Sequence, residues 1–168
     1  YQASGKYTCV THFYDKDIAG FLREKKKKKM LKSAPLAPDE LVYGNGPALL
    51  LKDTTRSKIT KRLKSQVEKS GKPAKAFLVK DQGLFVAEKK ETAQTIRDIV
   101  ASSLFIRKNA FNLGGIKTLS PKQQQFINQW ESEAFRKKLA QTETPGQVTD
   151  RIAVVTGAGS GLGKSIAI

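Results

Sequence analysis

The sequence predicts an α/β protein in which a larger region of helices and short strands precedes a single strand–loop–helix unit. Three observations predict this organisation. Apolar residues recur at three- and four-residue steps in some segments and form short continuous runs in others. The polar segment 141–149 lacks apolar periodicity and is expected to link a domain at 1–140 to a second one at 150–168. In that second region, a glycine-rich loop directly follows a continuous apolar run.

Four short strands are predicted in the larger region. Residues 41–43 and 48–51 are expected to be strands on either side of a glycine- and proline-containing turn. Residues 76–79 and 84–87 are expected to pair around the turn Asp81-Gln82-Gly83.

Capping residues and apolar periodicity predict four helices in the larger region. Asp15 and Ser120 are suited to cap two of them, and Ser120 is followed by Gln123 at capping-box spacing. Gly71 is expected to end a basic helix. Trp130 is expected to belong to the core rather than to a ligand platform. The predicted apolar faces are, in chain order, Ile18, Phe21 and Leu22; Ile59, Leu63 and Val67; Ala93, Ile96, Val100 and Leu104; and Phe126, Ile127, Trp130, Ala134 and Leu139.

The composition limits the function classes. Of the 168 residues, 39% are hydrophobic, which is enough to bury a core. No apolar run approaches the length that spans a bilayer, and no signal peptide is recognisable, so we expect no membrane partner. Cys9 is the only cysteine, which excludes an internal disulfide and a cysteine-based zinc site. A reducing compartment, most simply the cytoplasm, is therefore expected.

The net charge is unusually high, because 31 basic residues face 15 acidic ones and give a charge of +16. The basic residues concentrate at 23–32, which contains the run 25–29, and at 52–80. Such a surface attracts phosphates, nucleic acid or anionic membranes. A solvated face is the interpretation we favour, since surface charge varies freely.

The C-terminal segment has the parts of a dinucleotide site in the required order. Residues 152–155 predict a strand buried on both faces, and 162–168 are compatible with a helix whose amides and dipole would face an anion. Between them, Gly157, Gly161 and Gly163 lack Cβ atoms where the chain must turn, approach phosphates and pack closely.

The spacing Gly157-x-x-x-Gly161-x-Gly163 after Thr156 resembles the short-chain dehydrogenase/reductase family. The resemblance implies the start of a Rossmann fold that binds NAD or NADP. It also implies that the chain is an internal fragment and does not perform hydride transfer alone, because the ribose-binding acid and the catalytic serine, tyrosine and lysine would follow Ile168. No catalytic residue is assigned. The cofactor contacts it implies are Gly157, Ser160, Gly161, Leu162 and Gly163.

Three segments, 36–43, 77–85 and 126–131, resemble the C-terminal half of an αβα class II aldolase/adducin-type domain. That domain followed by a short-chain dehydrogenase resembles the bifunctional rhamnulose-phosphate aldolase/alcohol dehydrogenase family. The resemblance implies a lyase and oxidoreductase that takes a sugar phosphate, binds a dinucleotide and forms homo-oligomers.

In the aldolase family, three histidines hold a divalent metal, usually zinc, that stabilises an enediolate. Two of those histidines would precede this chain, and the third would stand where Gln82 is found. An amide oxygen is a weak zinc ligand. His12, the only histidine, has no second ligand beside it. We therefore assign no metal ligand in this segment, which leaves zinc open for the complete protein.

Two other function classes remain. An adducin-like, non-catalytic domain used for binding or assembly is favoured by Gln82 and by the lack of metal ligands. A nucleic-acid-binding protein is favoured by the charge alone. Against the latter, the basic tracts contain no interleaved aromatic residues for base stacking and no recognition module, so specific nucleic-acid binding is not expected.

Overall fold

The computed structural model describes residues 8–130 and 154–167, and these residues form four strands and seven helices. The α/β class is confirmed for this part of the chain. The strands are β1 (Val10–Phe13), β2 (Leu49–Leu51), β3 (Ala76–Val79) and β4 (Gly83–Ala87). The helices are α1 (Lys16–Arg23), α2 (Lys27–Leu31), α3 (Pro38–Val42), α4 (Arg56–Ser70), α5 (Lys90–Asn112), α6 (Pro121–Gln129) and α7 (Gly161–Ala167).

The four strands form one sheet in the order β1-β4-β3-β2. The pairs β1–β4 and β3–β4 are antiparallel, as predicted for the hairpin at 81–83, and β2 joins β3 in parallel. The cross-strand pairs Leu78–Leu84 and Ala76–Val86 are fully buried. Helices α1 and α5 pack on the sheet and cover these side chains. Burial of this single apolar face is the main contribution to the stability of the fold.

Helices α1 and α5 form where periodicity predicts them. Ile18, Phe21 and Leu22 of α1 are at most 3% exposed. The predicted stripe of α5 is buried at Ala93, Ile96, Val100 and Leu104. Helix α4 ends, as predicted, at Gly71, which adopts a φ of +72° and donates its amide to Val67. None of the α4 side chains is fully buried, so this basic helix lies at the surface.

Asp15 caps helix α1, because its carboxylate accepts a hydrogen bond of 2.9 Å from the Ile18 amide. The same carboxylate forms an ion pair of 2.6 Å with Arg97 of α5. Partial burial alone would raise the pKa of Asp15. The Ile18 amide and the Arg97 guanidinium outweigh that effect, so the pKa of Asp15 lies below its usual 3.8.

We expect Asp15→Ala to lower the free energy of unfolding by about 1 to 2 kcal/mol at pH 7, because both the cap and the ion pair are lost. A carboxylate with a lowered folded-state pKa stabilises the fold above its unfolded pKa and loses that effect as the pH falls. The difference in the free energy of unfolding between the wild-type protein and Asp15→Ala should therefore shrink below about pH 3.8. Urea titrations at several pH values measure it. Asp17→Ala in the first turn of the same helix is the control, and an equal loss there would contradict the capping role.

A buried ion pair joins helices α3 and α5. Arg107 is fully buried and Glu40 is 4% exposed, with 3.1 Å between the Arg107 Nη2 and Glu40 Oε2 atoms. Ser103 donates to Glu40 and accepts from the Arg107 Nε at 3.0 Å. Arg107 also donates to the Met30 and Ala34 carbonyls and to the Ser33 hydroxyl. The segment between α2 and α3 is thereby held against α5.

The structure corrects the strand predicted at 41–43, since residues 38–42 form helix α3. Pro38 at the first helical turn and the acidic residues Asp39 and Glu40 favour a helix start there. The buried contact of Glu40 with Arg107 stabilises the helix further. The turn after it was predicted, and Asn45 and Gly46 adopt positive φ values in it.

The apolar face predicted for α6 is wrong for Phe126 and Trp130, which are 65% and 52% exposed. The predicted capping box at Ser120 and Gln123 is confirmed, but the helix ends at Gln129. Ile127 is buried. Phe126 and Trp130 instead stack on each other, with 6.3 Å between their ring centroids. They lie outside because α6 directs only Ile127 towards the core; the predicted positions 134 and 139 lie outside the described residues.

The strand predicted at 152–155 is not formed at the two positions that the structure describes. Val154 is 89% exposed, and neither it nor Val155 belongs to a strand. A strand needs a neighbouring strand for its hydrogen bonds, and none in the described residues pairs with this segment. Helix α7 forms close to its predicted position. The predicted linker at 141–149 lies outside the described residues.

No helix in the described ranges is both long and apolar enough to cross a membrane.

Candidate functional site

The glycine loop at 156–163 has three positions at which the backbone requires glycine, each for its own reason. Gly157 adopts a φ of +71° and Gly161 a φ of +56°, in the left-handed region that L side chains rarely enter. A Cβ at Gly163 would overlap the Gly157 carbonyl oxygen and lie 2.7 Å from the Gly157 carbonyl carbon. Gly159, between them, has an ordinary φ and open space around it. The motif glycines are therefore the constrained ones.

The five residues predicted to contact a cofactor lie together in this loop and in the first turn of α7. Gly157, Gly161 and Ser160 are exposed, and Leu162 is 83% exposed. The Ser160 carbonyl accepts the Lys164 amide at 3.4 Å, which begins the helix. The loop thus leaves backbone and side chains accessible to a ligand.

A second candidate site is the turn Asp81-Gln82-Gly83 between β3 and β4. His12 of β1 contacts the Gln82 carbonyl oxygen through its Nε2 atom at 2.5 Å and stacks on Phe85 at 4.7 Å between ring centroids. Because a carbonyl oxygen can only accept, the His12 Nε2 carries the proton in this contact. Gly83 has a φ of +101°, and a Cβ there would lie 2.5 Å from the Phe13 carbonyl oxygen. The end of β1 therefore packs directly on the turn.

The described residues at this turn do not fit a zinc ion. A zinc site in proteins takes at least three protein ligands, usually histidine, cysteine or carboxylate. Among residues 8–130 and 154–167, no group of three such side chains lies together. Gln82 offers a neutral amide oxygen, and the His12 Nε2 is engaged with a carbonyl. The described residues at this turn therefore provide no zinc site.

Most basic residues of the two tracts are exposed to solvent, as the sequence interpretation favoured, but they do not all lie on one face. Within the run 25–29, Lys26 and Lys29 lie over the Phe111 ring, 5.6 and 5.4 Å from its centroid, whereas Lys28 lines a cleft. Basic side chains from the segment after β2 and from helix α4 also line this cleft. Residues 33–51 separate the two basic tracts in the sequence, so sequence alone did not predict that they approach each other. Their approach depends on the packing of α2 beside β2 and on the pairing of β2 with β3.

Comparisons with known proteins give structural similarity only. No protein-family model matches the chain, and no curated protein sequence matches it. Among solved structures, the chain is similar to aldolase-type enzymes. One is YgbL of Escherichia coli, described as a candidate aldolase/epimerase/decarboxylase, with 16% identity over 70% of this chain and 56% of that one and a TM-score of 0.44. Another is an L-fuculose 1-phosphate aldolase, with 15% identity over 79% and 58% and a TM-score of 0.48. The chain spans little more than half the length of either protein.

Proposed function

We propose that this chain is part of a bifunctional protein that joins an aldolase-like domain for a sugar phosphate to an NAD(P)-dependent short-chain dehydrogenase. The observation that carries the proposal is the backbone of the glycine loop. The three glycines at dehydrogenase spacing are the three that cannot be replaced without strain or overlap, while the fourth, Gly159, can.

Binding of a dinucleotide pyrophosphate would explain why glycine is required at each of these three positions. A pyrophosphate is held by backbone amides, and a Cβ beside them would keep the phosphate oxygens at a distance. The positive φ values at Gly157 and Gly161 allow the sharp turns that a loop needs if its amides are to surround an anion. The missing Cβ at Gly163 allows the first turn of α7 to pack on the loop. When bound, the dinucleotide would supply the hydride donor or acceptor of the reaction.

The aldolase-like assignment of residues 1–140 is supported by the hairpin β3–β4, which forms within one of the three segments that resemble this family. In the family that this part resembles, the turn carries the third metal-binding histidine, and here Gln82 takes that place. Gly83 lets β1 approach the turn, which brings His12 against Gln82. The residues that would contact a sugar phosphate are expected in the half of the domain that precedes this segment.

A second candidate is an adducin-like domain without catalysis, used for binding or assembly. The specific observation in its favour is Gln82, a residue that is poorly suited to hold zinc. The two candidates differ in chemistry, since only the first cleaves a sugar phosphate between carbon atoms. Zinc analysis together with an aldol-cleavage assay on the full-length protein distinguishes them.

The dehydrogenase part is tested by the matched variants Gly163→Ala and Gly159→Ala in the full-length protein. We expect Gly163→Ala to weaken NADH or NADPH binding by at least about tenfold, because its Cβ displaces the Gly157 carbonyl and reshapes the loop. Gly159→Ala should change the affinity by less than about threefold, since its Cβ meets nothing within 4 Å. Calorimetric titration measures both.

The proposal fails if the wild-type protein binds neither dinucleotide. It also fails if the two alanine variants bind with equal affinity, since the loop geometry would then have no part in binding. A thermal melt of each variant accompanies the titration, so that loss of the fold is not mistaken for loss of the site.

A further inference from the structure

A cleft of about 780 Å³ lies where the segment after α2, the edge strand β2 and helix α4 meet. No residue of the glycine loop or of the 81–83 turn lines it. Its apolar lining includes Leu31, Leu49 and Leu50. Six cationic side chains and one carboxylate also line it: Lys28, Lys32, Lys52, Lys58, Arg62 and Lys69, with Asp53.

Most of this positive charge has no local counter-ion. Asp53 is engaged by Lys58 at 2.5 Å, and this contact, followed by hydrogen bonds from Thr55, holds the pKa of Asp53 well below its usual value. Within the described residues, no ion pair involves Lys28, Lys52 or Arg62. The lining of the cleft therefore carries a net positive charge.

Three of the cations come from different elements and converge. Lys28 lies in α2, Lys52 follows β2, and Arg62 lies in α4. All three side chains line the same cleft. The charge of Lys28, followed by those of Arg62 and Lys32, lowers the pKa of Lys52. Like charges on three elements around one cleft repel each other, and an anion bound among them would relieve that repulsion.

The cleft has a rigid base. The buried Arg107 holds the carbonyls of Met30 and Ala34 and the hydroxyl of Ser33, directly behind the wall that bears Lys28 and Lys32. Strand β2 is fixed by its parallel pairing with β3. The backbone next to Lys28, Lys32 and Lys52 is thus anchored to the core.

We propose that this cleft binds a phosphorylated small molecule, with a phosphoryl group between Lys28, Lys52 and Arg62 and the carbon skeleton on the apolar lining. A volume of about 780 Å³ lies in the range of small-molecule sites. Single-stranded nucleic acid is disfavoured as the occupant, because no aromatic side chain lines the cleft to stack on bases. This site is independent of the proposed dinucleotide loop.

The test is calorimetric titration of the chain with inorganic pyrophosphate at physiological ionic strength. We expect saturable binding with one site per chain, and Arg62→Gln should weaken it by about tenfold, as expected when a charge-assisted hydrogen bond is lost. Arg56→Gln is the matched control: it removes the same charge from the same helix, at a residue that does not line the cleft. It should change the affinity by less than about twofold.

Gly163→Ala provides the second control, because a pyrophosphate could also bind to the glycine loop. Unchanged affinity in that variant, together with the loss in Arg62→Gln, supports the cleft. A loss in Gly163→Ala with none in Arg62→Gln overturns the cleft and leaves the loop as the site. Absence of saturable binding, or equal weakening by Arg56→Gln and Arg62→Gln, overturns it as well. If a single-stranded oligonucleotide at equal phosphate concentration displaces pyrophosphate, the cleft binds nucleic acid rather than a small molecule. That result would contradict the proposal.

Discussion

Arg107→Met is expected to lower the free energy of unfolding by about 3 to 5 kcal/mol. The variant leaves the Glu40 carboxylate buried at 4% exposure without its cation, and it frees the carbonyls of Met30 and Ala34. A buried charge without a partner costs several kcal/mol, because the interior cannot replace its hydration. Urea denaturation followed by circular dichroism measures the change.

Lys108→Met is the control for that experiment. Lys108 follows Arg107 in the same helix and pairs with Glu24 at 2.7 Å, but its side chain is 42% exposed. An exposed pair contributes little, so this variant should lose less than about 1 kcal/mol. The double variant Glu40→Leu with Arg107→Met should recover part of the stability, since it removes both charges. Equal losses at positions 107 and 108 would contradict the structural role of the buried pair.

Gly83→Ala is expected to cost about 2 to 5 kcal/mol, from two separate effects. The φ of +101° disfavours any side chain, and the added Cβ would lie 2.5 Å from the Phe13 carbonyl oxygen and 3.1 Å from the Tyr14 ring. Because that oxygen belongs to the backbone, the end of β1 must move, and the contact between His12 and Gln82 moves with it.

Gly71→Ala separates the two effects at Gly83. Gly71 also has a positive φ, of +72°, but nothing lies within 4 Å of a Cβ there. It should cost only the conformational part, about 1 to 2 kcal/mol. A thermal melt of each variant measures the difference. If Gly83→Ala were no more destabilising than Gly71→Ala, the close approach of β1 to the turn would be wrong.

The parts of the fold that depend on local interactions were predictable from the sequence. Asp15, Gly71 and the Ser120–Gln123 capping box act within one helical turn, so their positions in the sequence determine their effect. The hairpin β3–β4 was predictable for the same reason, since Gly83 stands where a turn requires a positive φ.

The parts that depend on distant contacts were not predictable. Helix α3 was mistaken for a strand because its burial depends on Arg107, which lies 67 residues away from Glu40. A hint was present, since Arg107 follows Ser103 and Val100 on the apolar face of α5. Trp130 was misplaced because apolar spacing cannot show that α6 ends at Gln129.

The candidate sites divide in the same way. The glycine loop was recognisable from its spacing, and the structure adds the reason why Gly163, unlike Gly159, cannot carry a Cβ. The basic cleft was not recognisable, because Lys28 and Lys52 become neighbours only when α2 packs beside β2. The glycines and the basic residues can be read from the sequence. Which residue each of them contacts is known only from the folded structure.

The proposed dinucleotide site is tested most directly by a crystal structure of the full-length protein grown with saturating NADH. The measurement is the distance from the cofactor's pyrophosphate oxygens to the backbone of the glycine loop. In the wild-type protein, we expect these oxygens to lie within hydrogen-bonding distance of loop amides between Gly157 and Gly163. A dinucleotide bound elsewhere in the protein, or no dinucleotide in the density, would contradict the assignment of this loop.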